Sequence, residues 1–99
     1  MKTYLGDRTL DGIKVTVDGR PLDPRTDLQT FSTNGFEWSY EGPEPAQLSL
    51  ALLADHLDED QVALAKCDAF MKAVVSNFNN EWEMTSEDID LALENIGRG

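Results

Sequence analysis

GFEWSYEGPEPAQLSLALLADHL, residues 35 to 57, decides the fold of this chain. The segment runs from alternating aromatic residues, through a turn at Gly42 and Pro43, into a stretch from Ala46 to Leu57 that is apolar around most of a helix. A proline in the first turn suits a helix start, because the missing N–H has no partner there anyway. A helix of this kind must be covered by the rest of the chain. We therefore expect it to be the buried axis of a small domain.

The aromatic half of the segment has the period of a strand. Phe36, Trp38 and Tyr40 alternate with Glu37 and Ser39, and alternate residues of a strand share one face. This pattern predicts a short strand whose aromatic face packs on a helix.

The N-terminal residues predict a hairpin. Thr3–Leu5 and Ile13–Val17 have strand character, and Asp18-Gly19 is typical of a hairpin turn. Pro21 lacks an N–H, so its segment belongs at a sheet edge or outside the sheet. A polar loop follows, from residue 23 to residue 34.

The C-terminal residues predict two more helices. A second helix is expected from about Glu59 to Phe78, followed by a short extended link at Trp82–Met84. Thr85 and Asp88 form a capping box for a last helix, Ser86–Ile96, that Gly97 ends. The prediction is an α+β fold in a single domain, residues 1–99. A small N-terminal antiparallel sheet of about three strands (1–40) packs on three helices in an acidic half (43–99).

Charge is divided unevenly along the chain. The formal net charge is -11, yet residues 1–40 carry six acids and five bases. The remainder carries 13 acids and three bases. Affinity for phosphate backbones comes mainly from Lys and Arg, so the composition argues against direct binding of nucleic acid and favours a basic partner. Solubility alone is the alternative explanation of an acidic surface.

The acids of the helical half are the candidate partner-binding residues. They lie at the predicted helix ends and at the turn before the first helix. They are Asp55, Asp58, Glu59, Asp60, Glu87, Asp90 and Glu94, with Glu41 and Glu44 at the turn.

The residues that carry catalysis in other proteins are scarce. His56 is the single histidine, and at a helix C-terminus it is expected to interact with the helix dipole. Cys67 falls on the apolar stripe of the second helix and is expected to be a core side chain. We therefore predict no catalytic site, no metal and no cofactor.

The chain opens MKTYLGD, without the apolar stretch of a secretory signal, and no segment reaches membrane-spanning length. One cysteine cannot form an internal disulfide, which fits a reducing cytoplasm. We expect a cytoplasmic protein with no membrane partner, and the oligomeric state stays open.

The chain resembles an uncharacterised family of small domains of unknown function from bacteria, archaea and phages. The family pattern is a Gly-Arg-Pro-Leu hairpin, a polar loop, Gly-Phe-Glu-Trp-Gly-Tyr, a glycine-rich turn, and Pro-Ala-Gln-Leu-Ala-Leu-Ala-Leu-Leu-Ala-Asp. The matching segments are Gly19-Arg20-Pro21-Leu22, Gly35-Phe36-Glu37-Trp38, Tyr40, Gly42, Pro45-Ala46-Gln47-Leu48 and Leu50-Ala51-Leu52-Leu53-Ala54-Asp55. The chain departs from the pattern at Phe31, Ser39, Glu41, Pro43 and Glu44, which make the turn stiffer and more negative.

Three functional hypotheses follow. The leading one is a non-enzymatic interaction protein that binds a basic partner. Because the resembled family includes phage members, a specific version of this hypothesis is an inhibitor carried by a phage or another mobile element. The inhibitor binds a host nucleic-acid-handling protein or nucleoprotein complex, with carboxylates in place of phosphates. The second is a small-ligand or nucleotide-binding domain that uses Tyr40, Gln47, Arg20 and Arg25 around the turn. The third is an acidic scaffold with no specific ligand.

Overall fold

The computed structural model describes residues 1–98, and it confirms the N-terminal hairpin. Strands β1 (Thr3–Thr9) and β2 (Gly12–Val17) pair antiparallel, and β1 is longer than predicted. Asp18 and Gly19 both have positive φ, 49° and 84°, in the turn that leads to β3 (Arg20–Pro21). β3 pairs with β2 at the edge of the sheet, as the proline predicted.

The sheet has four strands in the order β3-β2-β1-β4, all antiparallel. The fourth strand is β4 (Trp82–Thr85), the segment that the sequence predicted only as an extended link. It pairs with β1, with Gly6 opposite Trp82. A Cβ at residue 6 would overlap the Trp82 indole, so this close approach requires glycine.

The predicted aromatic strand is wrong: residues 22 to 42 form turns and irregular structure. Ser39 has a φ of 78°, in the left-handed region that interrupts an extended chain. The Trp38 carbonyl accepts a 2.7 Å hydrogen bond from Arg8 rather than from a neighbouring strand. Arg8 also binds Glu37 at 2.7 Å and lies over the Trp38 ring, so β1 holds this loop against the core.

Three helices follow the loop. They are α1 (Pro43–Leu57), α2 (Asp60–Ala73) and α3 (Ser86–Arg98). α2 ends earlier than predicted, because Val75–Asn77 form a 3-10 turn, and α3 continues through Gly97 rather than ending there. The capping box is confirmed by reciprocal bonds: the Thr85 N–H donates to Asp88 at 3.0 Å, and the Asp88 N–H donates to the Thr85 hydroxyl at 3.2 Å.

The core forms around α1, as predicted. Leu48 and every residue from Leu50 to Leu53 are fully buried, in one apolar cluster with residues of the sheet and of α2. Cys67 is buried on α2, and Ser49 donates 2.6 Å to its carbonyl, which satisfies a hydroxyl enclosed between the two helices. The α+β fold with three C-terminal helices is therefore confirmed.

Candidate partner-binding surface

A sharp junction between α1 and α2 concentrates four acids. Asp58 ends α1 in the left-handed conformation, with φ 55° and ψ 32°, and its N–H bonds to the Ala54 carbonyl at 3.1 Å. Glu59 is extended, and Asp60 begins α2. Only two residues thus separate the helices, and the carboxylates of residues 55 to 60 stay close together.

Two contacts bring α3 to the same junction. The His56 Nε2 lies 2.6 Å from Asp90 Oδ1. Lys2 pairs with Asp55 at 3.1 Å and accepts a backbone hydrogen bond from Ser86, the first residue of α3. Glu87 lies one turn before Asp90 on that helix, so it shares the same face. We call this group the acidic corner: Asp55, Asp58, Glu59, Asp60, Glu87 and Asp90.

Part of the corner is engaged in the fold. Lys2 and the Tyr4 phenol both donate to Asp55, the phenol at 2.7 Å. Burial of the phenol, and its bond to Asp55, raise the pKa of Tyr4 above its ordinary value. Arg25 lies 3.4 Å from Asp60 and 3.1 Å from Asp27, and its bond to Asp27 lowers the pKa of that carboxyl.

The other half of the corner is free. Within residues 1–98, the side chains of Asp58, Glu59 and Glu87 make no hydrogen bond or ion pair. All three are at or beside helix ends, which fixes their backbone positions. Their carboxylates are therefore available to cationic side chains.

The three remaining predicted acids are Glu94, on α3, and Glu41 and Glu44, at the turn before α1. Glu94 follows Asp90 by one turn of α3, on the same face. Glu41 and Glu44 lie at the other end of α1, a helix of 15 residues and therefore about 20 Å from the corner. Glu44 accepts hydrogen bonds from Tyr40 at 2.8 Å and from Ser32 at 2.9 Å, and these lower its pKa. The turn acids thus belong to a separate surface.

The alternative ligand residues do not form a site with free polar groups. Gln47 is fully buried, and its amide accepts from the Phe31 and Ser32 N–H groups at 2.8 and 3.2 Å. The same amide donates to the carbonyls of Pro24 and Gln29 at 2.6 and 3.2 Å. An amide has two donor hydrogens and two acceptor lone pairs, so all are in use. Gln47 anchors the polar loop rather than facing the turn.

Arg25, Arg20 and Tyr40 are spread over the structure. Arg25 is paired with Asp27 and Asp60, and Arg20 is in the edge strand β3. Tyr40 is 42% exposed, and its hydroxyl donates to Glu44. Partial burial and that bond raise the pKa of Tyr40 to about 12.

A second acidic surface, which the sequence did not predict, lies on the outer face of the sheet. A shallow pocket of about 370 Å³ lies between β1 and the start of β4, and we call it the β4 pocket. Its lining consists of Leu5, Gly6, Asp7, Glu81, Trp82 and Glu83. The alternation of Glu81 and Glu83 with Trp82 and Met84 was the available signal, but it does not identify β1 as the partner strand.

The two reactive residue types are held in structural roles. Burial and the neighbouring Asp68 raise the pKa of the Cys67 thiol, which disfavours the thiolate. His56 is nearly covered and paired with Asp90.

Among residues 1–98 no group of three or more His, Cys, Asp or Glu side chains could hold a metal ion. In the same part of the chain, no helix has the length and apolar character needed to span a membrane.

Comparison with known proteins gave one match. A family model, described as "Family of unknown function (DUF6166)", matches residues 4–95. No curated protein and no solved structure matches the chain.

Proposed function

The chain belongs to this family of unknown function, and because membership supplies no activity, we propose a function from the geometry. The protein is a non-enzymatic interaction module that binds a basic protein partner at the acidic corner. The observation that carries the proposal is the convergence of α1, α2 and α3, where three carboxylates remain unpaired after Lys2, Arg25 and His56 have been used.

The charge of the whole chain supports this proposal. Four of the basic side chains, Lys2, Arg8, Arg25 and Lys72, are already paired with acids of the chain. The net charge of -11 already includes these cations, so the acids of the chain exceed its bases by 11. A field of one sign attracts an oppositely charged protein and raises its association rate, in a manner that salt screens.

A finer version concerns the kind of partner. Proteins that handle nucleic acids carry Lys and Arg at positions that meet successive phosphates. Carboxylates fixed at helix ends present negative charges to the same grooves. We propose that the partner is a nucleic-acid-handling host protein, and that the module acts as an inhibitor carried by a phage or another mobile element in the cytoplasm.

The test compares two variants with the same change in net charge. Glu59→Lys/Glu87→Lys reverses two unpaired carboxylates of the corner. Asp11→Lys/Glu41→Lys reverses two exposed carboxylates, one in the β1–β2 turn and one before α1. Each protein is immobilised, incubated with a nuclease-treated bacterial lysate, and its bound proteins are quantified by mass spectrometry. Circular dichroism verifies that all three proteins are folded.

We expect the wild type and the Asp11/Glu41 variant to retain at least one basic protein that the Glu59/Glu87 variant does not retain. Rising salt concentration should release this protein. Equal retention by all three proteins would show that the corner is not the binding surface. An acidic scaffold without a specific ligand would retain no basic protein in any form.

A further inference from the structure

The two edges of the sheet differ in their capacity to pair with another strand. The β3 edge has two residues, and one of them, Pro21, has no N–H to donate. The β4 edge has four residues and no proline. An extended segment from another molecule therefore finds a continuous hydrogen-bonding edge only at β4.

The register of the ladder determines which groups of β4 face outward. The Ser86 N–H donates to the Lys2 carbonyl at 2.9 Å. Because bonded and non-bonded pairs alternate in an antiparallel ladder, Trp82 and Met84 bond to β1. The N–H and carbonyl of Glu83 point the other way, to the open edge. The Thr85 N–H also points away from β1, but Asp88 accepts it.

The β4 pocket lies beside this edge and is both acidic and apolar. Leu5 is 43% exposed there, surrounded by the carboxylates of Asp7, Glu81 and Glu83. The nearest cation on this face is Lys14, which lies opposite Asp7 on β2, on the side away from β4. The side of the face next to the open edge therefore carries negative charge.

We propose that β4 accepts an extended basic segment of a partner protein as a fifth strand, with its Lys or Arg side chains in the β4 pocket. The inference rests on the proposed function in that the partner is basic, and it assigns a second contact surface. The segment exchanges two backbone hydrogen bonds with Glu83. Its basic side chains lay their aliphatic stems on Leu5 and place their charges beside Glu81 and Glu83.

Charge also disfavours the simplest competing occupant, a second copy of this chain. Two copies of the chain paired through β4 would bring Glu83 of one copy beside the acids of the other. Like charges directly opposite each other destabilise strand pairing. The same carboxylates that oppose self-association favour Lys and Arg.

The test measures the contribution of the backbone hydrogen bonds to affinity separately from the contribution of the Glu83 charge. The probe is an eight-residue capped peptide of alternating lysine and threonine, and its affinity is measured by NMR titration of the full chain. Glu83→Pro removes the outward N–H without removing a bond to β1. Glu83→Ala removes the same charge and keeps the N–H, so it is the matched control.

We expect Glu83→Pro to bind the peptide about tenfold more weakly than Glu83→Ala, as loss of one hydrogen bond predicts. On wild-type protein, the bound peptide should slow hydrogen exchange of the Glu83 amide at least about tenfold. A peptide with a methylated main-chain nitrogen at every lysine, the residues whose N–H groups face Glu83, cannot form the strand ladder and should bind about tenfold more weakly. This last comparison uses wild-type protein and holds even if the proline variant does not fold.

Equal affinity of the plain and N-methylated peptides, or no slowing of Glu83 exchange, would overturn the strand addition. If Glu59→Lys/Glu87→Lys weakens peptide binding while both Glu83 variants bind like the wild type, the edge inference is wrong and the acidic corner stands. Conversely, if the wild type retains no basic protein from the lysate, or the Glu59→Lys/Glu87→Lys variant retains it equally, while the peptide still adds as a strand, the result counts against the corner alone.

Discussion

The Tyr4 hydroxyl donates a 2.7 Å hydrogen bond to Asp55 Oδ2, and this bond joins the first strand to the last turn of α1. Tyr4→Phe should lower the free energy of unfolding by about 2 kcal/mol, because the acceptor is charged and the phenol is fully buried. Urea denaturation at neutral pH measures the loss. The Asp55→Asn variant and the double variant complete a cycle, and additive losses would show that the bond has no coupling energy.

The two hydrogen-bonded tyrosines predict a loss of stability in alkaline solution. The pKa of Tyr4 is raised by burial and by Asp55, and that of Tyr40 is raised to about 12. An unfolded phenol loses its proton near its ordinary pKa of about 10, whereas the folded ones keep theirs. Above about pH 10 the unfolded state therefore binds fewer protons, so the unfolding free energy falls as pH rises. Urea midpoints between about pH 8 and pH 11 measure this slope, which should be shallower in Tyr4→Phe/Tyr40→Phe than in the wild type.

Gly6→Ala should be the most damaging of the single methyl additions to the glycines. Its Cβ would overlap the Trp82 indole, which stacks on Phe78 with ring centres 4.4 Å apart. The expected loss is about 3 kcal/mol, the cost of overpacking a core, measured by thermal unfolding with tryptophan fluorescence. Gly97→Ala is the control, since no atom lies within 4 Å of its Cβ position in α3. The penalty of Gly6→Ala should shrink in a Trp82→Leu background, and a penalty of the same size would place the clash elsewhere.

Asp58→Gly should stabilise the protein by about 0.5 to 1 kcal/mol. Asp58 has a φ of 55°, which glycine adopts without strain, and its carboxylate is at a helix C-terminus, where negative charge is unfavourable. Asp58→Ala removes the same charge but keeps the strain, so it should be less stable than Asp58→Gly by about 1 kcal/mol. Chemical denaturation of the two variants provides the measurement, and equal stabilities would contradict a strained cap.

Gln47→Leu should destabilise the protein by about 3 kcal/mol, because it leaves two N–H groups and two carbonyls of the loop without partners. The amides of Phe31 and Ser32 should exchange hydrogen at least about tenfold faster. Gln61→Leu, at an exposed position of α2, is the control. Unchanged exchange at Phe31 and Ser32 would mean that Gln47 does not hold the loop.

Local patterns predicted the elements whose bonds are local. The Asp18-Gly19 turn and the Thr85–Asp88 capping box each depend on residues within three positions, and the apolar run predicted a buried α1. The strand expected at residues 36–40 failed because Arg8, thirty positions earlier, takes the Trp38 carbonyl. Strand alternation in Phe36, Trp38 and Tyr40 contains no information about that contact.

The sequence predicted the negative charge of the candidate site, but not which of its side chains are paired. Composition identified the acidic half, but it could not show that Tyr4 and Lys2 engage Asp55 or that His56 engages Asp90. These pairs arise from β1 and α3 meeting at the end of α1. The β4 pocket was missed for the same reason, because its two sides come from opposite ends of the chain.

The position of β4 beside β1 has a consequence for how the chain folds during synthesis. The hairpin and the α1–α2 pair connect near neighbours, so they can form while the polypeptide is still being extended. Residues 82 to 85 emerge last among the strands, yet they must dock on the first strand. Until they do, β1 lacks its second neighbour, and the inner face around Gly6 lacks the indole that covers it. The sheet therefore cannot be completed until residues 82 to 85 have been synthesised, and until then the unpaired edge of β1 is open to aggregation and proteolysis.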